Sequence, residues 1–162
     1  MLQMLPDIPA AERASAAERY LVRTARRWPQ GERERLVDSV LKLLAEKSLQ
    51  PVFSAHAQPE VSIMGTLALE EKQYAVSGRI DRLAVLDDRV VILDYKTNRV
   101  PPQTEDAVPY AHKAQLAIYR EILKPLYPGK EIECVLVYTE NATVHRLTNR
   151  TLELALAGLK TK

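Results

Sequence analysis

Two segments with strand-like alternation, Gly78-Arg79-Ile80-Asp81-Arg82-Leu83 and Leu93-Asp94-Tyr95-Lys96-Thr97-Asn98, lie either side of the turn-forming pair Asp87-Asp88. A hairpin turning symmetrically there pairs residues whose numbers sum to 175, which sets Asp81 directly opposite Asp94. Side chains alternate faces along a strand, so Lys96 projects on the same face as Asp94. Cβ atoms of opposed residues lie roughly 4.5 to 5.5 Å apart, where two like charges destabilise a sheet unless something cationic sits between them. A divalent metal meets that need. A register off by one would throw the two aspartates onto opposite faces, so the inference stands or falls on the pairing.

Composition narrows the field without naming a function. A chain of 162 residues is the usual size of one domain with a single core, and 46% apolar with 27% charged residues is ordinary for a globular protein. The net charge of +2 is too mild to announce a nucleic-acid binder. Arg13, Arg19, Arg23, Arg26 and Arg27 concentrate charge near the start, a pattern that also suits a solvated helix face. The single cysteine, Cys134, excludes an internal disulfide and an all-cysteine metal site, and its run Glu133-Cys134-Val135-Leu136-Val137 reads as a buried, inert thiol. No stretch reaches the ~18 to 20 apolar residues of a membrane span, and the N-terminus lacks a signal-peptide pattern, so a reducing, cytoplasmic setting and no membrane partner are expected. Met1-Leu2-Gln3-Met4-Leu5-Pro6 reads like the tail of an apolar helix, as if the chain began partway through a larger protein.

Periodicity predicts helices first and strands later. Pro9-Ala10-Ala11-Glu12 opens an alanine-rich helix to about Trp28, and Pro29-Gln30-Gly31 breaks it. Leu36, Val37, Val40, Leu41 and Leu44 then recur at helical spacing, so residues 1–50 read as a helical hairpin and 51–162 as the core that follows. Strands are expected at about 59–68, 73–86, 89–97, 131–139 and 142–147, with Asn141 in the last turn. A helix over 109–123 precedes Pro125, and Asn149 is a plausible cap for a final helix. The fold class is α/β with a mixed sheet of about five strands, because the long crossover after the third strand permits parallel pairing with the fourth.

An aspartate, a hairpin's gap and then Asp-x-Lys is the sequence form of the PD-(D/E)xK nuclease core, a restriction-endonuclease-like fold. With Gly-Arg-Ile-Asp-Arg-Leu, Leu-Asp-Tyr-Lys-Thr-Asn and Gln115-Leu116-x-x-Tyr119 in that order, the chain resembles RecB-like nucleases, and looks most like the C-terminal nuclease domain of AddA-type helicase–nuclease subunits. The resemblance covers about residues 58–147. It implies a catalytic set of Asp81, Asp94, Lys96, Gln115 and Tyr119, with Gln115 and Tyr119 supporting the lysine and the DNA backbone from one helix face. On their own, those two residues equally fit an amphipathic helix with Tyr119 in the core beside Ile118 and Ile122.

The chemistry suits these residue types. Carboxylates bind hard Mg²⁺ or Mn²⁺, which keep several waters and take one or two protein carboxylates. Asp81 and Asp94 would supply these, with the backbone carbonyl of Tyr95 as a further ligand and Glu60 a candidate for orienting a metal water, or else a solvated strand end. Lys96 would hold the attacking water and counter charge on the phosphate. By the hairpin arithmetic Arg79 lies opposite Lys96 where it can meet a phosphate, Arg82 points to the other face as a surface or pairing residue, and Thr97 and Asn98 either donate to a phosphate or simply end the strand. The family's usual histidine ligand comes from a helix before the sheet; His56, His112 and His145 do not match its context, which places it upstream of Met1, with His56 the candidate substitute.

The resemblance implies a metal-dependent deoxyribonuclease acting on single-stranded ends fed by a helicase motor in double-strand break repair. None of the five glycines forms a nucleotide-binding phosphate loop, so ATP and the helicase domains belong to a parent chain, alongside an AddB-type partner subunit in a bacterial cytoplasm. Two alternatives are a catalytically incomplete nuclease fold that binds DNA or docks onto another protein, and a RecB-like exonuclease outside repair.

Overall fold

The computed structural model describes residues 1–54, 56–98 and 100–159. Ala55, in the loop before His56, and the last three residues of the expected 51–162 core lie outside the described residues.

Three helices come first: α1 (Arg13–Thr24), α2 (Gln30–Ala45) and the single turn α3 (Gln50–Phe53). The strands β1 (Gln58–Leu69), β2 (Lys72–Val85) and β3 (Arg89–Lys96) follow, then α4 (Tyr110–Leu123), β4 (Glu131–Tyr138), β5 (Thr143–Leu147) and α5 (Asn149–Ala157). The strands form one sheet in the order β1-β2-β3-β4-β5. Every neighbouring pair is antiparallel except β3 and β4, which run parallel because α4 carries the chain back across the sheet.

The central strands read as they do because both of their faces are covered. In β3, Val91 and Leu93 pack with Ala84, Val135 and Val137 against Ala17, Leu21, Val40, Leu43 and Leu49 of the helical start. Val90 and Ile92 point the other way, packing with Cys134, Leu136 and Tyr138 against Leu116, Ala117 and Leu123 of α4 and Leu152 and Ala155 of α5. A strand buried on both faces is a continuous apolar run, which is the pattern of Val90 to Leu93. The distal halves of β1 and β2 form an exposed ribbon, with Met64 and Tyr74 open to solvent. No helix among the described residues is long and apolar enough to cross a membrane.

Local chemistry sets the helix limits. Pro109 and Pro29 precede the first residues of α4 and α2, where a missing N–H is harmless. The cap of α5 is Thr148, whose hydroxyl accepts the Thr151 N–H, rather than the expected Asn149, which is already the first helical residue. Asn141 does lie in the β4–β5 turn, with its side chain accepting the Thr143 N–H.

Arg82 departs from expectation. It faces away from the aspartates, as the alternation requires, but it is 1% exposed rather than on the surface. Its guanidinium donates to the carbonyls of Val52 at 2.6 Å and Leu2 at 3.2 Å and lies 5.7 Å over the Phe53 ring. The helical layer closes over that side of β2, and carbonyls at its chain ends need donors.

Candidate active site

The β2–β3 ladder runs from Val85 opposite Val90 to Arg82 opposite Leu93, the register whose residue numbers sum to 175. Beyond Arg82 the two strands part, and the Asp81 carboxylate fills the opening: its Oδ2 accepts the backbone N–H of Tyr95 at 2.7 Å. The side chain thus takes over a bond of the kind the backbone ladder makes elsewhere. The parting has a second trace. Leu83 and Ile80 both pack into the α4-side core although they are three residues apart, so the alternation of β2 slips by one across Asp81. Asp81 and Asp94 are therefore not partners in the ladder, as the symmetric register had set them, and Arg79 never reaches the position opposite Lys96. It stands opposite Ser62 of β1, with its Nη1 3.7 Å from Glu60 Oε1.

Asp94 and Lys96, at the end of β3, meet Gln115 from α4. Asp94 is 4% exposed. Its Oδ1 accepts Gln115 Nε2 at 3.1 Å. Its Oδ2 lies 2.7 Å from Lys96 Nζ in an ion pair that lacks hydrogen-bond geometry, so this buried oxygen has a nearby charge and no donor aimed at it. Lys96 Nζ donates instead to Gln115 Oε1 at 2.8 Å. The Gln115 amide is thereby polarised by its neighbours, oxygen toward the ammonium and nitrogen toward the carboxylate, and the same nitrogen reaches Tyr119 Oη at 3.2 Å. Tyr119 has its ring in the core and its hydroxyl in the network.

Gly78 explains how α4 comes so close. A Cβ at that position would lie 2.6 Å from Tyr119 Oη and 2.7 Å from Tyr119 Cε1. Only a glycine lets the tyrosine ring rest on β2.

The electrostatics match two carboxylates sharing a confined site. Burial raises the Asp81 carboxyl above its ordinary range, and the Asp94 charge adds to the rise, while the Tyr95 N–H, Lys96 and Arg79 oppose it. Asp81 Oδ1 has no hydrogen-bond partner among the described residues. With the orphaned Asp94 Oδ2, the donors on offer are hard carboxylate oxygens, which fit a hard divalent cation that keeps part of its water shell.

The other sequence candidates do not join this network, although Tyr95 borders it through its N–H. Glu60 adopts a left-handed φ of 53° and is exposed, accepting Gln3 Nε2 at 2.7 Å. Tyr95 stands opposite Val137 in the β3–β4 ladder. His56 is exposed in a turn, and His145 is buried with Nε2 3.0 Å from the Pro102 carbonyl. Among the described residues, no three Asp, Glu, His or Cys side chains converge as a metal cluster. Thr97 and Asn98 are exposed just past β3. Sequence reasoning missed Tyr138, which the parallel register sets beside Lys96; the one available signal was a tyrosine closing an otherwise apolar strand.

The profile of the PD-(D/E)XK nuclease superfamily matches residues 1–158, and the chain belongs to that superfamily. Its mixed five-stranded sheet between two helical layers is of the restriction-endonuclease-like kind. The chain is similar to an ATP-dependent helicase/nuclease subunit of Streptococcus suis (strain 98HAH33), at 27% identity over 94 residues that cover 58% of this chain and 8% of that protein. The corresponding protein of Streptococcus equi subsp. zooepidemicus (strain MGCS10565) is 34% identical over 70 residues, covering 43% of this chain and 6% of the relative. The chain thus spans less than a tenth of the length of these relatives. The crystal structure of SSO0001 overlaps 99% of this chain and 73% of its own at a TM-score of 0.42 and 18% identity, too loose a likeness to carry detail.

Proposed function

We propose that this protein is a metal-dependent deoxyribonuclease, the nuclease part of a bacterial helicase–nuclease that degrades single-stranded ends during double-strand break processing. The observation that carries the reading is the network in which Gln115 joins Asp94, Lys96 and Tyr119, with Asp81 at the adjoining strand opening.

Asp81 and Asp94 would hold Mg²⁺ or Mn²⁺, with the Tyr95 carbonyl as a further ligand. When bound, the metal supplies a more acidic water and neutralises charge on the scissile phosphate. This chain's own residues do the rest. Gln115 holds the Lys96 ammonium through an uncharged acceptor, so the lysine keeps its aim without depending on Asp94 alone. Lys96 then orients the attacking water and offsets negative charge as the phosphorus becomes pentacovalent. The donor-only ammonium and the acceptor-only Asp94 carboxylate keep the Gln115 amide from turning over, and Tyr119 steadies its far side.

The relatives' names join helicase and nuclease in one polypeptide, so a parent chain with its own ATP-driven motor and an AddB-type partner belong to this proposal, as does a cytoplasmic setting. In the complete protein, Asp94→Ala or Lys96→Ala should abolish strand cleavage and leave ATP-driven unwinding intact. Cleavage at the wild-type rate by either variant would sink the assignment. Calorimetric titration with Mn²⁺ should give weak binding that Asp81→Asn removes, and unchanged binding would put the metal elsewhere.

A further inference from the structure

α4 presents two polar side chains to the sheet from one face, Gln115 and, three residues earlier, His112. Gln115 grips Lys96. His112 Nδ1 lies 3.0 Å from the hydroxyl of Tyr138. Tyr138 is the partner of Lys96 in the parallel β3–β4 ladder, so the two gripped residues stand side by side on one face of the sheet.

The direction of the His112–Tyr138 bond follows from burial. Tyr138 has no exposed surface, its ring meets His145 edge-on with centroids 5.9 Å apart, and among the described residues its hydroxyl has only His112 Nδ1 as an acceptor. A buried O–H left without an acceptor is costly, so Tyr138 donates and Nδ1 accepts. That fixes the ring proton on Nε2. The ionisation states agree. Burial, then the Lys96 charge, hold His112 below its ordinary pKa, while burial, then the Asp94 carboxylate, hold Tyr138 above its own. A neutral imidazole thus meets a protonated phenol. Nε2 has no partner among the described residues, and the residue is partly exposed.

We propose that His112 is a substrate-binding residue of this site, an Nε2–H donor of fixed tautomer that holds a non-bridging phosphate oxygen of the DNA strand beside Lys96, with Tyr138 as its positioning residue. The inference rests on the nuclease reading. Neutral N–H donors and backbone phosphates are a usual pairing in DNA recognition, and they position a strand without reading its sequence.

The test measures affinity for a fluorescent single-stranded oligonucleotide by anisotropy in Ca²⁺, so that binding is read apart from cleavage. His112→Ala, which removes the N–H donor altogether, should weaken binding roughly tenfold or more, the worth of a hydrogen bond to a charged group. It should also raise KM far more than it lowers kcat, whereas Lys96→Ala strikes kcat. Tyr138→Phe, which frees the tautomer but keeps the ring, should weaken binding by a smaller factor. Wild-type affinity in His112→Ala overturns the proposal. So does a long-range ¹H–¹⁵N spectrum of the unaltered protein that finds the His112 proton on Nδ1, whatever the cleavage activity. If Asp94→Ala and Lys96→Ala cleave normally while His112→Ala loses affinity, the nuclease reading fails and the phosphate contact stands.

Discussion

A single residue, Arg82, shows how neighbouring letters of one motif divide their work. Asp81 faces the site, and Arg82 turns the other way to tie β2 to the carbonyls of Leu2 and Val52 under the helical layer. No carboxylate of the described residues pairs with it, so its charge is spread over carbonyl dipoles and the Phe53 ring. Arg82→Ala removes packing and leaves two buried acceptors unpaired, and should cost about 3 kcal/mol in urea unfolding. Arg82→Met keeps the stem's volume and removes the cost of burying a charge, so its loss should be less than half as large. Equal losses would show that the carbonyl bonds, and not the packing of the stem, secure the strand.

Among the elements, α4 does most to assemble the site, because one helix supplies His112, Gln115 and Tyr119 and also the crossover that makes β3 and β4 parallel. Its height above the sheet is set at Gly78, where Tyr119 occupies the space of the missing side chain. Gly78→Ala must push the ring and its helix outward, and should destabilise the fold by about 1 to 3 kcal/mol, as overpacking does. The displaced Tyr119 should also release Gln115, so cleavage should fall further than stability alone explains. An alanine variant with wild-type melting would mean that the contact relaxes freely. At the start of β1, the left-handed Glu60 pairs with Gln3 and Arg79 rather than joining the aspartates.

For the molecule as a whole, pH reports how fully the two cores exclude water. Burial pushes the Cys134 thiol up to about 12, and raises the Tyr95 and Tyr138 hydroxyls as well. Each group holds its proton more tightly when folded than when unfolded. The stability they contribute is therefore complete below the ordinary thiol range and is lost as pH rises through the folded values. For Cys134 the loss approaches about 1.4 kcal/mol per pH unit in the window between the unfolded value and about 12. Urea midpoints measured at rising pH should fall from about pH 9 upward, and Cys134→Ala should flatten the first part of that fall. The same burial makes the thiol inert to alkylation until the protein unfolds, as the apolar run around it suggested.

The sequence by itself determined the hairpin register, the five strands, the helix that bears Gln115 and Tyr119 on one face, and the resemblance that led to the superfamily. These are legible because they rest on local rules: a period of two, a period near 3.6, and a turn that counts residues equally on both sides. Tertiary structure alone decided what happens where those rules stop. The strands part at Asp81, so its carboxylate bonds to Tyr95 N–H and the alternation slips behind it. Arg82 is buried because a helical layer from a distant part of the chain covers it, and Arg79 goes to Glu60 because the ladder ends too soon to bring it to Lys96. Tyr138 stands beside Lys96 through a parallel register that no turn fixes, since the crossover between β3 and β4 takes its length from how α4 packs. Local pattern names candidate residues, but contacts between segments far apart in the chain choose their neighbours.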